Sequence, residues 1–120
     1  MLEIRELTEA DAEEIARIEQ ETFSMPWPKD AFLEMIKEDN LLYLVAQDDN
    51  IILGGCGLRM IVGDGEITNV AVREGSRNRG YGEKLLRELM ARGEAMGVKA
   101  FTLEVRQSNH AAIHLYEKLG

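Results

Sequence analysis

Cysteine and long apolar runs are scarce in this sequence of 120 residues, and each scarcity excludes a class of protein. The single cysteine, Cys56, excludes an intramolecular disulfide and a zinc site built from several cysteines. No apolar run approaches the ~20 residues of a membrane span, and the first residues lack the charged-then-apolar pattern of a signal peptide. With 45% hydrophobic and 30% charged residues, the composition is typical of a globular domain. We expect residues 1–120 to form one domain in the cytoplasm, without a membrane partner.

Positive charge is scarce in the first part of the chain. Residues 1–70 contain 5 Lys and Arg against 16 Asp and Glu, whereas residues 71–120 contain 9 against 6, which gives net charges of −11 and +3. An overall charge of −8 argues against direct nucleic-acid binding, because that affinity comes mainly from neutralising phosphates. The difference in net charge between the two parts of the chain indicates an anionic cofactor near the basic part. Acids of the first half, such as Glu19 and Glu34, would attract a basic peptide, although plain solvated charge gives the same pattern.

Apolar periodicity predicts an α/β chain in which helices pack on a mixed sheet. The predicted order is a strand, two helices, three hairpin-linked strands, a helix, a strand and a final helix, at residues 2–7, 12–22, 29–38, 41–47, 51–62, 66–73, 81–96, 100–105 and 110–119. Pro26 and Pro28 separate the first two helices, because proline interrupts a continuous helix. Gly54, Gly55 and Gly57 predict a bulge or a close backbone approach in the second hairpin strand.

A glycine-rich turn, RNRGYG at residues 77–82, lies between a predicted strand and a predicted helix. The N-terminus of a helix presents unpaired N–H groups and a partial positive charge, and glycine lets a phosphate approach the backbone closely. Arg77 and Arg79 add positive charge, so the turn suits a diphosphate. It is neither a Walker A loop nor a dinucleotide fingerprint. A tight turn that needs glycine for backbone reasons alone is the alternative.

Two groups of motifs carry a resemblance to a known family. Arg77-x-x-Gly80-x-Gly82, preceded by NVAV at 69–72, resembles the coenzyme A signature of the GNAT superfamily of N-acetyltransferases. LEVR at 103–106, SN at 108–109, LYEKLG at 115–120 and the Pro26-Trp27 pair resemble bacterial ribosomal-protein-alanine N-acetyltransferases. The resemblance covers nearly the whole chain. It implies the GNAT fold and transfer of an acetyl group from acetyl-CoA to a protein N-terminal amine, with the alanine N-terminus of small-subunit ribosomal protein eighteen as acceptor.

The resemblance also implies which residues carry out the transfer. Glu104, near the end of a largely apolar strand, is implied as the base that takes a proton from the amine, directly or through water. An N-terminal amine of pKa ~8 loses its proton more easily than a lysine of pKa ~10.4. Tyr116 is implied as the acid that protonates the leaving thiolate. From the residues alone, Glu104 could equally pair with Arg106 or a lysine, and Tyr116 could be a core residue.

The binding residues for the two substrates are implied in the same way. The main chain of residues 69–72 is implied to pair with the pantetheine arm like an added strand, and Trp27 and Asn69 to contact the acceptor. The implied cofactor-binding residues are Val70, Ala71, Val72, Arg77, Asn78, Arg79, Gly80, Tyr81, Gly82 and Asn109. Trp27 could instead be a clamp between helix and sheet, and Asn109 a helix cap. His110 and His114 have the i,i+4 spacing of zinc ligands but no clear third ligand nearby in sequence, so no metal site is predicted.

Members of that family continue with two more strands after the block that ends here at Gly120. Without them, the strand at 100–105 is expected to be an open edge through which two copies could form a homo-oligomer. A shortened chain, a second chain that supplies the strands and a compact variant all explain this equally. Three other functions stay open: acetylation of a small amine or a lysine, coenzyme A binding without catalysis, and a structural scaffold.

Overall fold

A single sheet organises the computed structural model, which describes residues 2–22, 27–73 and 80–103. The strands are β1 (Leu2–Glu6), β2 (Leu41–Asp48), β3 (Ile51–Ile61), β4 (Asp64–Val72) and β5 (Ala100–Leu103), and the helices are α1 (Ala12–Thr22), α2 (Lys29–Ile36) and α3 (Tyr81–Ala95). The strands lie in the order β1-β2-β3-β4-β5, antiparallel from β1 to β4 and parallel between β4 and β5. This confirms the predicted mixed sheet and element order, while the helix predicted at 110–119 lies outside the described residues.

Both faces of the sheet are covered, which explains why β2 is an almost unbroken apolar run. Tyr43 and Val45 point to the face that carries α1 and α2, where Phe32 meets the edge of the Tyr43 ring at a centroid distance of 5.3 Å. Leu44 points to the opposite face, under Leu86 and the rest of the α3 stripe. Alternate side chains of one strand therefore enter two different cores.

Two predicted core positions have different outcomes. Cys56 is fully buried on the α3 face, and burial raises the pKa of its thiol well above the usual range, so it is a core residue as expected. The helical spacing of Phe32, Met35 and Ile36 predicts that all three point inward, and for Ile36 this prediction is wrong. Ile36 is the last residue of α2 and is 39% exposed, whereas Phe32 and Met35 are buried.

The entry to α1 is fixed by a charged hydrogen-bond network. A short 3₁₀ turn at Glu9–Asp11 precedes the helix, and the carboxylate of Asp11 accepts hydrogen bonds from the Thr8 N–H and hydroxyl, each at 2.8 Å. The Arg5 guanidinium donates to the two oxygens of Asp11 at 2.7 and 2.9 Å and to the side chain of Gln47. Asp11 is only 6% exposed, and the half-buried Arg5 and Gln47 join it, so the network connects β1, β2 and the start of α1.

Replacing Asp11 by asparagine is expected to lower the free energy of unfolding at pH 7. The hydrogen bonds from Arg5 and Thr8 lower the pKa of Asp11 from 3.8 to about 2, although burial acts in the opposite direction. A carboxyl whose pKa is lower in the folded than in the unfolded protein stabilises the fold above pH ~4, and this contribution is lost as the pH falls to ~2. Urea unfolding should show a loss of about 2 kcal/mol that shrinks between pH 4 and pH 2. Glu34→Gln, which removes an exposed pair with Lys37, is the control; an equal loss there would contradict the assignment.

Candidate functional site

The N-terminus of α3 is the first part of the candidate site. Gly80 precedes the helix in a left-handed conformation, φ +81°, and its carbonyl accepts the hydrogen bond from the Lys84 N–H at 3.1 Å. A Cβ on Gly80 would meet no atom within 4 Å, so the backbone conformation, not lack of space, is what favours glycine. The first-turn amides of such a helix have no acceptor within the helix and can bind an anion. The geometry therefore fits a diphosphate at this turn.

The second part is the C-terminal half of β4. Cys56 of β3 pairs with Val70, but Leu58 pairs with Ile67, so two β4 residues oppose Gly57 alone and β4 is bulged there. Pairing between β4 and β5 reaches Ile67 and Leu103 in the described residues, whereas pairing between β4 and β3 continues to Val72. The bulge therefore lies between the described β4–β5 pairs and the segment 70–72 that leads to the glycine turn.

Gly54 brings β3 and β4 close together next to this segment. A Cβ on Gly54 would overlap the carbonyl oxygen of Ala71 and lie 3.1 Å from the Cα of Val72. Only glycine allows this separation without a shift of β4. The close approach confirms what the three glycines of β3 predicted, and the bulge lies in the partner strand β4.

The α1 and α2 face of the sheet carries polar groups at the level of the bulge. A Cβ on Gly57 would lie 2.7 Å from the hydroxyl oxygen of Thr68 and 3.0 Å from the Tyr43 ring. The Tyr43 hydroxyl is buried without a hydrogen-bond partner in the described part of the chain. Burial raises its pKa well above the usual value, and the charge of Glu19 adds to the effect.

Glu19 is the clearest correction to the sequence interpretation on this face. The charge pattern groups it with surface acids that would attract a basic peptide, yet it is 0% exposed. Glu19 follows Ile15 by one helical turn, and Ile15 packs over Gly55 and the Tyr43 ring, so helical periodicity places both on the buried stripe of α1. The i,i+4 spacing was the signal in the sequence, but a charged residue type argued against burial.

Trp27 lies on the same face as α1 and α2. Its ring is partly buried and contacts Phe32 at a centroid distance of 5.8 Å and an interplanar angle of 50°. One side of the indole therefore packs on the core, as in the clamp alternative, while part of it stays exposed. Its role toward an acceptor stays a prediction.

Some of the remaining predicted site residues lie within the described residues and others lie outside them. Gly80 precedes α3 and Tyr81 and Gly82 begin it, and the main chain of residues 69–72 lies in β4 after the bulge. The structure describes β5 up to Leu103, the residue before Glu104. The predicted site residues that lie outside the described residues are Arg77, Asn78, Arg79, Glu104, Asn109 and Tyr116.

Metal-ligand groupings and membrane-spanning helices are both absent from the described segments. In residues 2–22, 27–73 and 80–103, no three His, Cys, Asp or Glu side chains are grouped as a metal ion would require. None of the helices in the same segments is long and apolar enough to cross a membrane.

Comparison with known proteins gives a consistent set of relatives. The model of the acetyltransferase (GNAT) family matches residues 12–120. The chain is 34% identical over 119 residues to the [ribosomal protein bS18]-alanine N-acetyltransferase of Haemophilus ducreyi, a match that covers 98% of this chain and 80% of that protein.

Solved structures are similar over the whole chain. The crystal structure of the ribosomal-protein-S18-alanine N-acetyltransferase from Escherichia coli superposes with a TM-score of 0.87 at 30% identity, covering 100% of this chain and 77% of that one. The PaiA N-acetyltransferase of Thermoplasma acidophilum, solved in complex with coenzyme A, superposes with a TM-score of 0.79 at 22% identity, covering 100% of this chain and 89% of that one. At that identity the second similarity shows the fold alone.

Proposed function

The chain belongs to the acetyltransferase (GNAT) family, and we propose that it transfers the acetyl group of acetyl-CoA to the N-terminal alanine of ribosomal protein bS18. The observation that carries this proposal is the 34% identity, over 98% of the chain, to an enzyme named for that reaction. The bulged β4 and the glycine turn before α3 support it, because they offer main-chain groups to an extended, anionic thioester.

Binding of acetyl-CoA is assigned to main-chain groups in two places. The first-turn amides of α3, behind the open Gly80, hold the diphosphate with Arg77 and Arg79. The main chain at Val70 and Val72 pairs with the pantetheine amides, as an added strand would. When bound, acetyl-CoA supplies the thioester, and Asn109 contacts the pantetheine arm. Among the described residues, no atom lies within 4 Å of where a Cβ on Gly80 would be, which supports a close approach of the diphosphate to this backbone.

Proton transfer is assigned to Glu104 and Tyr116. Glu104 takes a proton from the protonated terminal amine, and the neutral nitrogen then attacks the thioester carbonyl carbon. The C–S bond breaks, the thiolate takes a proton from Tyr116, and the proton that the acylated nitrogen releases replaces the proton of Tyr116. A terminal amine, with a pKa of ~8, gives up its proton at about 3 kcal/mol less cost than a lysine. This difference favours a protein N-terminus over a lysine side chain as acceptor for a carboxylate base.

The acceptor is assigned to the α1 and α2 face, across the sheet from α3. Trp27 and Asn69 contact the N-terminal segment, and an acidic first half with a net charge of −11 attracts a basic ribosomal protein. Such an acceptor is encountered in the cytoplasm, where this enzyme is proposed to act.

Mass spectrometry of acetylated peptides tests the proposal directly. The chain is incubated with acetyl-CoA and peptides that share a basic sequence but begin with Ala, Ser or Met, together with a lysine-containing peptide blocked at its N-terminus and a polyamine. We expect a gain of one acetyl group on the alanine peptide, at a rate at least about tenfold above the others. Faster acetylation of the polyamine or the blocked peptide would contradict the assigned acceptor. Coenzyme A binding without any product would indicate a binding module.

A further inference from the structure

The end of β4 is tied to β3 and α1 by Arg73, the residue that follows the strand. The Arg73 N–H donates to the Leu53 carbonyl at 2.7 Å, and its side-chain Nε donates to the Ile52 carbonyl at 3.1 Å. Its terminal nitrogen forms an ion pair and hydrogen bond with the Glu14 carboxylate of α1. Three parts of the fold therefore meet at one guanidinium.

The Arg73 contacts adjoin the glycine that sets the β3 to β4 separation. Gly54 pairs with Val72, and a side chain there would overlap the Ala71 carbonyl. The close packing of Gly54 against β4 involves Ala71 and Val72, and the hydrogen bonds of Arg73 begin at the next residue. We call the group formed by Gly54, Arg73 and Glu14 the β4 clasp. Between the bulge and the clasp, the main chain at 70–72 is held at both ends.

We propose that the β4 clasp positions the main chain of Val70 and Val72 for coenzyme A, with Arg73 and Glu14 as positioning residues. This inference rests on the proposed function, because that function assigns those main-chain groups to the pantetheine arm. The Nε and one terminal nitrogen of Arg73 donate to Ile52 and Glu14, and these two bonds hold the end of the strand. The strength of a hydrogen bond depends on the distance and angle between its donor and acceptor. A shift of β4 would therefore weaken all the hydrogen bonds between its main chain and the pantetheine amides together.

The Arg73–Glu14 pair is better shielded from water than an exposed ion pair on a helix. The side chains of Arg73 and Glu14 are 36% and 29% exposed, against 68% and 72% for the Lys37–Glu34 pair on α2. The backbone carbonyl of Ile52 fixes the guanidinium plane in addition, so little side-chain freedom is lost when Glu14 pairs with it. Glu14 also accepts a hydrogen bond from Arg17 at 3.0 Å, which holds the carboxylate on α1.

Isothermal calorimetry with coenzyme A tests the clasp. Arg73→Met is expected to raise the Kd for coenzyme A about tenfold, and the KM for acetyl-CoA by the same factor, while kcat at saturation stays within about twofold. Arg59→Met is the matched control, because Arg59 pairs with Glu66 across the same two strands at their other end, 4.0 Å apart. Its Kd should stay within about twofold of the unchanged protein.

Two further variants separate positioning from general stability. Glu14→Gln should raise the Kd several-fold, and the double variant with Arg73→Met should be no weaker than Arg73→Met alone, because both act through one pair. Arg73→Lys keeps the charge but loses the planar donor to Ile52. Its Kd for coenzyme A should lie between those of the unchanged protein and Arg73→Met. A Kd for Arg73→Met within about twofold of the unchanged protein, or equal weakening by Arg59→Met, would overturn the proposal.

The outcome also distinguishes this inference from the proposed function. If the unchanged protein binds coenzyme A but acetylates no peptide, the catalytic proposal fails and the Kd series still decides the clasp. If it acetylates the alanine peptide and Arg73→Met binds normally, the clasp fails alone. If it binds no coenzyme A, both fail.

Discussion

Valine at position 80 is expected to weaken coenzyme A binding about 50-fold while the fold persists. Gly80 has φ +81°, a conformation that costs a β-branched residue about 2–3 kcal/mol. The strain is relieved by a change in φ, which turns the amides of Tyr81 and Gly82 away from the diphosphate. Calorimetric titration of Gly80→Val with coenzyme A measures the loss.

The chain contains a matched control for Gly80→Val. Gly63, in the turn between β3 and β4, has φ +84°, and a Cβ there, as at Gly80, would meet no atom within 4 Å. Gly63→Val should therefore lower the melting temperature as much as Gly80→Val does, with an unchanged Kd for coenzyme A. Gly80→Asn should recover part of the affinity, since asparagine tolerates the left-handed region. Coenzyme A binding by Gly80→Val within about threefold of the unchanged protein would remove the diphosphate from this turn.

Glutamine in place of Glu104 is expected to lower kcat at least about 100-fold, the range in which loss of a general base falls. The amide cannot accept the proton of the acceptor amine, yet it has nearly the shape of the carboxylate. The Kd for coenzyme A should stay within about twofold, because Glu104 is assigned to the amine and not to the cofactor. Initial rates on the alanine peptide at saturating acetyl-CoA give kcat, and calorimetric titration gives the Kd for coenzyme A.

The rate of Glu104→Gln should also recover in part at high pH. Above the amine pKa of ~8 the acceptor is already neutral, so the need for a base is smaller. Glu94→Gln, an exposed carboxylate near the end of α3, is the control and should match the unchanged protein throughout. An unchanged kcat for Glu104→Gln at pH 7 would show that another group takes the proton.

Hydrophobic periodicity predicted the elements of the fold because each strand and helix repeats its pattern over enough residues. The strand at 41–47 and the helix at 81–96 correspond to β2 and α3 within one residue at each described end. The close approach of β3 to β4 was predictable too, since Gly54, Gly55 and Gly57 lie together in a strand that is otherwise apolar. The glycine turn was predicted as a diphosphate site from its place between strand and helix, and this assignment stays a prediction.

Sequence could not predict contacts that depend on side chains brought together from distant parts of the chain. Arg73 and Glu14 are separated by 59 positions, so no local pattern links them. Glu19 looked like a surface acid because charged residues are rarely fully buried. Its i,i+4 spacing from Ile15 indicated the buried stripe of α1, but the residue type outweighed that spacing. Ile36 has the spacing of a buried residue and is 39% exposed, because the spacing of one helix does not show where the surface that it packs on ends.

Val70 and Ala71, near the end of β4, point to opposite faces of the sheet and enter different cores. Val70 packs under α3 and is 5% exposed, whereas Ala71 faces α1 and α2 and is 0% exposed. A mutational scan would therefore score both positions by their packing and would overlook any ligand contact made by their peptide groups. Backbone chemistry, such as replacement of one amide by an ester, is the kind of change to which such a contact responds.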